Sequence, residues 1–192
     1  MSTLNDYRER EHWSFSALNQ FLNICSLQYA FDRVYRLEKA FTPASLSFGS
    51  AFHRAMEWLH LRLREGGRPQ EAEARALFRD LWSRQVAEDG RIRFDEDAGA
   101  DACGGQGADL VAACLAASDP EEEVVSVNET FAVPLIDAAG QVLEKPLIGE
   151  IDCVVRKSAE LTLVDWKTSA RRWPRGQADK SLQPTVYLYA WR

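Results

Sequence analysis

Apolar residues along the first half of the chain recur every three to four positions, and from residue 123 onward the runs become rich in valine, isoleucine and leucine. That change separates predicted helices from predicted strands. Residues 14–25 read as a capped amphipathic helix, with Ser14 or Ser16 as N-cap and Leu18, Phe21 and Leu22 at helical spacing. A second helix follows over 27–37. After Pro43 a long helical pattern covers 46–64, its stripe made of Phe48, Phe52, Met56, Leu59 and Leu63. Two glycines and a proline in Glu65-Gly-Gly-Arg-Pro-Gln70 break that helix, and another is predicted over 69–88 on Ala74, Leu77, Phe78, Leu81 and Trp82. The polar, glycine-containing stretch 89–109 reads as a flexible connection, and 108–117 resumes a helical pattern. Strands are predicted over 123–136, 142–155 and 161–167, with turns at Asp137-Ala-Ala-Gly140 and Lys157-Ser-Ala-Glu160. A closing helix begins near Gln183, where Pro184 is tolerated in the first turn. Helices first, an antiparallel meander next and a helix last make an α+β arrangement. The expectation is one domain over 1–192, mainly helical over 14–118, with sheet and closing helix over 123–192.

The last two strands end in charge. Side chains alternate faces along a strand, so Glu150 and Asp152 share one face of the second strand, and Asp165 and Lys167 share one face of the third. Two carboxylates and a lysine therefore converge. Burying them on an apolar sheet costs several kcal/mol per ion unless something compensates. A divalent cation compensates, and carboxylate oxygens suit magnesium or manganese. A protonated lysine is no ligand, but it can orient an attacking water and help move its proton.

The resulting motif set resembles the PD-(D/E)XK nuclease superfamily in its RecB-type exonuclease branch, to which AddB and CRISPR-associated adaptation nucleases are related. Gly149-Glu-Ile-Asp152 resembles that branch's Gly-x-Ile-Asp element, and Asp165-Trp-Lys167 its Asp-x-Lys element. Gln183-Pro-Thr-Val-Tyr187 resembles the Gln-x-x-x-Tyr helix, and Gly49-Ser-Ala-Phe-His53 the helix that brings a metal-binding histidine. Four elements in order from His53 to Tyr187 make a specific signal, whereas Asp-x-Lys alone occurs by chance in many proteins. The resemblance implies a restriction-endonuclease-like core, a mixed sheet flanked by helices. It also implies that His53, Asp152, Asp165 and the Trp166 carbonyl hold one or two magnesium or manganese ions while Lys167 positions water. Asp152, Asp165 and Lys167 are the implied catalytic set, and Glu150 is a weaker candidate. Gln183 and Tyr187 are four apart and so share one helical face; the resemblance implies that this face borders the site or contacts DNA, whereas the spacing by itself favours packing of the tyrosine in the core. The family generally continues beyond this helix, so a shortened C-terminal end is expected: a minimal form, a fragment, or a sheet completed by a second copy or a partner.

Length and composition bound these expectations. At 192 residues and 46% hydrophobic content the chain is long enough for one core. No apolar run reaches the roughly 18 residues of a membrane span, and the first residues lack a signal peptide's apolar segment, so a soluble, cytoplasmic protein is expected. Cysteines at 25, 103, 114 and 153 contain no Cys-x-x-Cys pair and read as small reduced, half-buried thiols. An iron-sulfur cluster is not expected, because the family's cluster-bearing members take three cysteines from beyond the closing helix. A net charge of −6 argues against general coating of nucleic acid, but past Lys167 the balance inverts. Arg171, Arg172 and Trp173 there read either as a nucleic-acid path with a base-stacking indole or as an ordinary solvated loop. His60 is expected on the surface.

Two functions follow from different classes. The first is a metal-dependent DNA exonuclease of recombination or repair, with DNA as substrate and a helicase or other repair subunit as partner. The second is a non-catalytic DNA-binding or scaffold module that retains the nuclease fold inside a repair complex.

Overall fold

The computed structural model describes residues 4–95, 99–169 and 174–191. In chain order its elements are α1 (Leu4–Arg8), β1 (Trp13–Ser14), α2 (Phe15–Asn19), α3 (Ser26–Tyr29), β2 (Thr42–Pro43), α4 (Ala44–Arg64), α5 (Glu71–Glu88) and β3 (Ile92–Arg93). There follow α6 (Ala100–Ala117), β4 (Glu123–Val133), β5 (Leu147–Lys157), β6 (Glu160–Val164), α7 (Gln177–Lys180) and α8 (Leu182–Ala190). Hydrogen bonding makes a mixed sheet in which β5 lies between β1 and β4 and also pairs with β6. The α+β expectation therefore holds. No helix among the described residues is long and apolar enough to cross a membrane. The chain divides into two compact units, one of them Lys39–Val127 with Asp152–Thr168.

That unit is organised by α4, α5 and α6. Small residues at the helix contacts, Ala51, Ala55, Ala74 and Ala108, are fully buried and let the backbones approach. Phe78 and Leu59 fill the space between, each worth about 1.5–3 kcal/mol of apolar burial. Two glycines of α6 explain why the segment expected as a flexible connection is helical from Ala100. A Cβ at Gly107 would overlap the Phe78 ring, and one at Gly104 would stand 3.0 Å from the Trp82 indole. Glycines that look like breakers are here the bare surface on which two aromatic rings lie. The Trp82 indole N–H donates to the Ala100 carbonyl at 2.7 Å, which fixes the start of the helix.

The sheet part of this unit is the antiparallel hairpin of β5 and β6, in register Cys153↔Val164 through Lys157↔Glu160. Its two-residue turn places Ser158 at φ 55°, as a tight hairpin requires. The expected turn is thus present. The third strand, however, stops at Val164, so Asp165, Trp166 and Lys167 leave the ladder instead of continuing it to residue 167. The second strand begins at Leu147 rather than 142, and only an isolated bridge, Ile136↔Val142, lies before it.

The other unit holds the remaining described residues. Ser14 caps α2, its Oγ accepting from the Ala17 N–H at 3.3 Å. The helix predicted over 14–25 changes to a π-turn at Gln20–Ile24, closed by the Cys25 N–H on the Gln20 carbonyl at 2.8 Å. The i→i+5 geometry rotates the apolar stripe off its helical register, and Phe21 and Leu22 are 53% and 63% exposed instead of buried. A second π-turn, Ala30–Val34, likewise interrupts the helix predicted over 27–37. β1 pairs in parallel with the start of β5, Trp13↔Leu147 and Ser14↔Ile148. α8 packs against α2, with Tyr187 edge-on to Phe131 at 6.4 Å. A Cβ at Gly149 would overlap the Phe131 ring, so this glycine is required by close approach.

Candidate active site

Within the helical unit, β5 enters with Asp152, a carboxylate only 8% exposed among Ile151, Cys153 and Val154. Its partner comes from the other motif element, 14 residues on. The Trp166 N–H, freed because β6 has ended, donates to Asp152 Oδ2 at 2.7 Å. A charge-assisted bond of this kind offsets part of the cost of burying the carboxylate. The second oxygen, Oδ1, lies 3.5 Å from His53 Nδ1.

His53 stands on α4 beside the face that buries Ala51, Phe52, Ala55 and Met56. Gly49, one turn earlier, brings that helix close to the segment after the motif. A Cβ there would sit 3.3 Å from Thr168 Oγ1. The hydrogen bond to Asp152 raises the His53 pKa above its ordinary value, burial opposes it, and the Asp152 charge and a backbone hydrogen bond with Trp166 add to the rise. The positive charge of Lys167 pulls the other way, which puts its ammonium within electrostatic reach of the imidazole. Lys167 Nζ is 2.6 Å from Asp165 Oδ2. One unit thus gathers His53, Asp152, Asp165, Trp166 and Lys167.

Trp166 is the hinge of this arrangement. It is 7% exposed, its ring edge-on to His53 at 5.8 Å and tilted against His60 at 4.9 Å. His60 was expected on the surface, yet it is half-buried, with Nδ1 donating to the Met56 carbonyl at 2.8 Å and its pKa lowered by burial. Seven residues separate it from His53, two helical turns on the same face, and that spacing was the signal available in the sequence. The Cys153 thiol is fully buried and its pKa is pushed up to about 12 by burial and by the Asp152 charge. Cys25, expected half-buried, is exposed, and its Sγ accepts from the Gln28 N–H at 3.4 Å.

The donor set suits a hard divalent cation in kind: a carboxylate oxygen and an imidazole nitrogen face one another, with the Trp166 backbone beside them. Among the described residues no three His, Cys, Asp or Glu side chains converge into a preformed cage. Asp165 is directed to Lys167. An ion that drew on Asp165 would share its carboxylate with Lys167.

Other expected site residues lie in the second unit. Gln183 Nε2 donates to the Tyr187 hydroxyl at 2.7 Å on α8, and both line a cavity of about 510 Å³ that Glu150 also lines. Arg171, Arg172 and Trp173 lie outside the described residues. No curated protein matches the chain. A model of the PD-(D/E)XK nuclease superfamily matches residues 12–192, spanning every element of the site, and the chain belongs to that superfamily.

Proposed function

We propose that the protein is a metal-dependent deoxyribonuclease of the RecB exonuclease type, acting on DNA in recombination or repair. The observation that carries this reading is the buried Asp152 carboxylate tied to the Trp166 N–H and facing His53, with the Asp165 and Lys167 pair on the same short segment. A carboxylate so placed is costly unless a cation uses it.

Asp152 and His53 would hold magnesium or manganese, with Asp165 and the Trp166 carbonyl as further donors. When bound, the ion polarises the scissile phosphate and favours ionisation of water at neutral pH. The chain supplies the rest. The Trp166 N–H fixes the rotation of the Asp152 carboxylate. The Trp166 indole keeps solvent from one side of the His53 ring. Asp165 holds Lys167 Nζ, and that ammonium orients the attacking water and interacts with the non-bridging phosphate oxygens. Water forms the new P–O bond and the leaving oxygen departs from phosphorus. A helicase or another repair subunit would deliver the strand.

A second reading, a DNA-binding module without catalysis, is favoured by one observation: Asp165 is engaged by Lys167 and no three-ligand cage is preformed among the described residues. Incubating end-labelled DNA with the purified chain separates the two. The nuclease reading expects cleavage with manganese or magnesium, none in chelator and none by Asp165→Ala. Binding without cleavage under every metal condition overturns it.

A further inference from the structure

We infer that a groove built by Arg8 and Arg33 in the unit holding the N-terminal residues binds the backbone of a single DNA strand. This rests on the nuclease reading for the choice of polyanion, and the groove itself is read from its own residues. Two cavities, of about 510 and about 700 Å³, share Arg8, His12 and Arg33 in their linings, so these side chains form a common basic wall. The larger cavity adds Arg10, Arg36 and Lys145.

Arg33 is held in place before any ligand arrives. Its Nε donates to Gln20 Oε1 at 3.1 Å and its Nη2 to Ser16 Oγ at 3.1 Å. Gln20 is itself 9% exposed and donates to Asp32 Oδ2 at 2.7 Å. Two of the five guanidinium N–H groups are thereby used, and the others remain for an oxyanion. A preorganised fork gives up little side-chain freedom on binding. Lys145 is 3.0 Å from Glu11, but among the described residues no carboxylate forms an ion pair with Arg8, Arg10, Arg33 or Arg36. In a chain of net charge −6, four arginines without carboxylate partners on one wall call for an external anion.

The rings beside them select the kind of anion. Trp13 and Tyr29, both partly exposed, line the larger cavity, whereas Phe131 and Tyr187 of the smaller one are buried against each other. Two accessible rings beside the arginines match a strand whose bases are unpaired and free to stack. A duplex keeps its bases stacked inside and presents none to these rings. Glu9, Glu11 and Asp32 also line the larger cavity and disfavour the denser charge of two strands.

The test is fluorescence anisotropy of a labelled single-stranded oligonucleotide in chelator, over a series of salt concentrations, for the unsubstituted chain, Arg33→Ala and Arg8→Ala. Each substitution is expected to weaken binding about tenfold at low salt and to lower the salt slope by about 0.7. Thermal melting checks the fold. If Arg33→Ala melts early because its hydrogen bonds tie two helical turns together, Arg8→Ala carries the result. Unchanged affinity and slope in a folded Arg8→Ala protein overturns the inference, as does duplex bound as tightly as the single strand or an unsubstituted chain that binds no DNA. No metal is present, so a chain that binds through these arginines yet never cuts DNA refutes the nuclease reading and leaves the groove standing.

Discussion

Replacing Asp152 separates its role in folding from its role in holding an ion. Asp152→Ala deletes the acceptor of the buried Trp166 N–H and the partner of His53. A buried donor left without a partner costs about 1–3 kcal/mol. For a chain of 192 residues each kcal/mol moves the melting temperature by about 2–4 °C, so a fall of roughly 2–12 °C is expected. Asp152→Asn keeps the shape and an oxygen that accepts from Trp166 but removes the charge, so its own melting point stays close to that of the parent. The difference emerges with metal. At manganese one hundred times its dissociation constant the parent gains about 2.7 kcal/mol, or roughly 5–11 °C. Asp152→Asn gains almost none of this. Differential scanning of both proteins in chelator and in a manganese series reads the two effects separately. A metal-induced rise in Asp152→Asn equal to the parent's would refute Asp152 as a ligand, and an unperturbed Asp152→Ala protein would refute the Trp166 hydrogen bond as a structural tie.

Further outcomes follow from individual residues. The His53 pKa is raised by Asp152, so without metal the pair stabilises the fold fully below the unfolded value and loses that contribution as pH rises through the folded one. Melting in chelator should show this loss, and Asp152→Asn should flatten it; a parent curve that lacks it contradicts the His53 and Asp152 contact. Gly107→Ala should destabilise by about 1–3 kcal/mol through overlap with Phe78, although alanine is the better helix former, whereas Gly105→Ala, which meets nothing within 4 Å, should stabilise by about 0.5–1 kcal/mol. Denaturant unfolding that ranks the two substitutions the other way overturns the packing of α6 on α5. Iodoacetamide at neutral pH should label exposed Cys25 in the native chain and spare Cys153, whose thiol is buried and titrates near 12. Peptide mapping that finds Cys153 alkylated first would contradict its burial.

What could be read from the residues was what depends on local spacing. The period of Phe52, Met56 and Leu59 was enough to place α4, and Lys157-Ser-Ala-Glu160 was enough to place the hairpin, because both signals sit within a few positions of one another. Asp152 and the Asp165-Trp-Lys167 segment stood out as candidates because each puts charge at a fixed place in an apolar pattern, whereas His53 was singled out only by the resemblance of its helix to the family's. The misread parts depend on distant partners. Gly104 and Gly107 resemble helix breakers until Trp82 and Phe78, some twenty to thirty residues earlier, are laid against them. The third strand appeared to continue through Lys167 because Asp165 and Lys167 alternate, yet Trp166 spends its N–H on the Asp152 carboxylate instead of the ladder. His60 was assigned to solvent although it repeats the face of His53 two turns on, because the ring that covers it, Trp166, lies far along the chain. The π-turn at Gln20–Ile24, which exposes Phe21 and Leu22, has no sequence signature of its own.

The most direct test of the proposed chemistry is the rate at which Lys167→Ala digests end-labelled linear DNA in manganese, beside the parent chain, with closed circular DNA as control and melting curves to establish that both are folded. Removing a group that positions water and moves its proton should slow cleavage about 10²–10⁴-fold while DNA binding in chelator persists, with the parent degrading linear DNA alone. A folded Lys167→Ala protein that digests linear DNA at the parent's rate would contradict the assignment of Asp165 and Lys167 as the water-positioning pair.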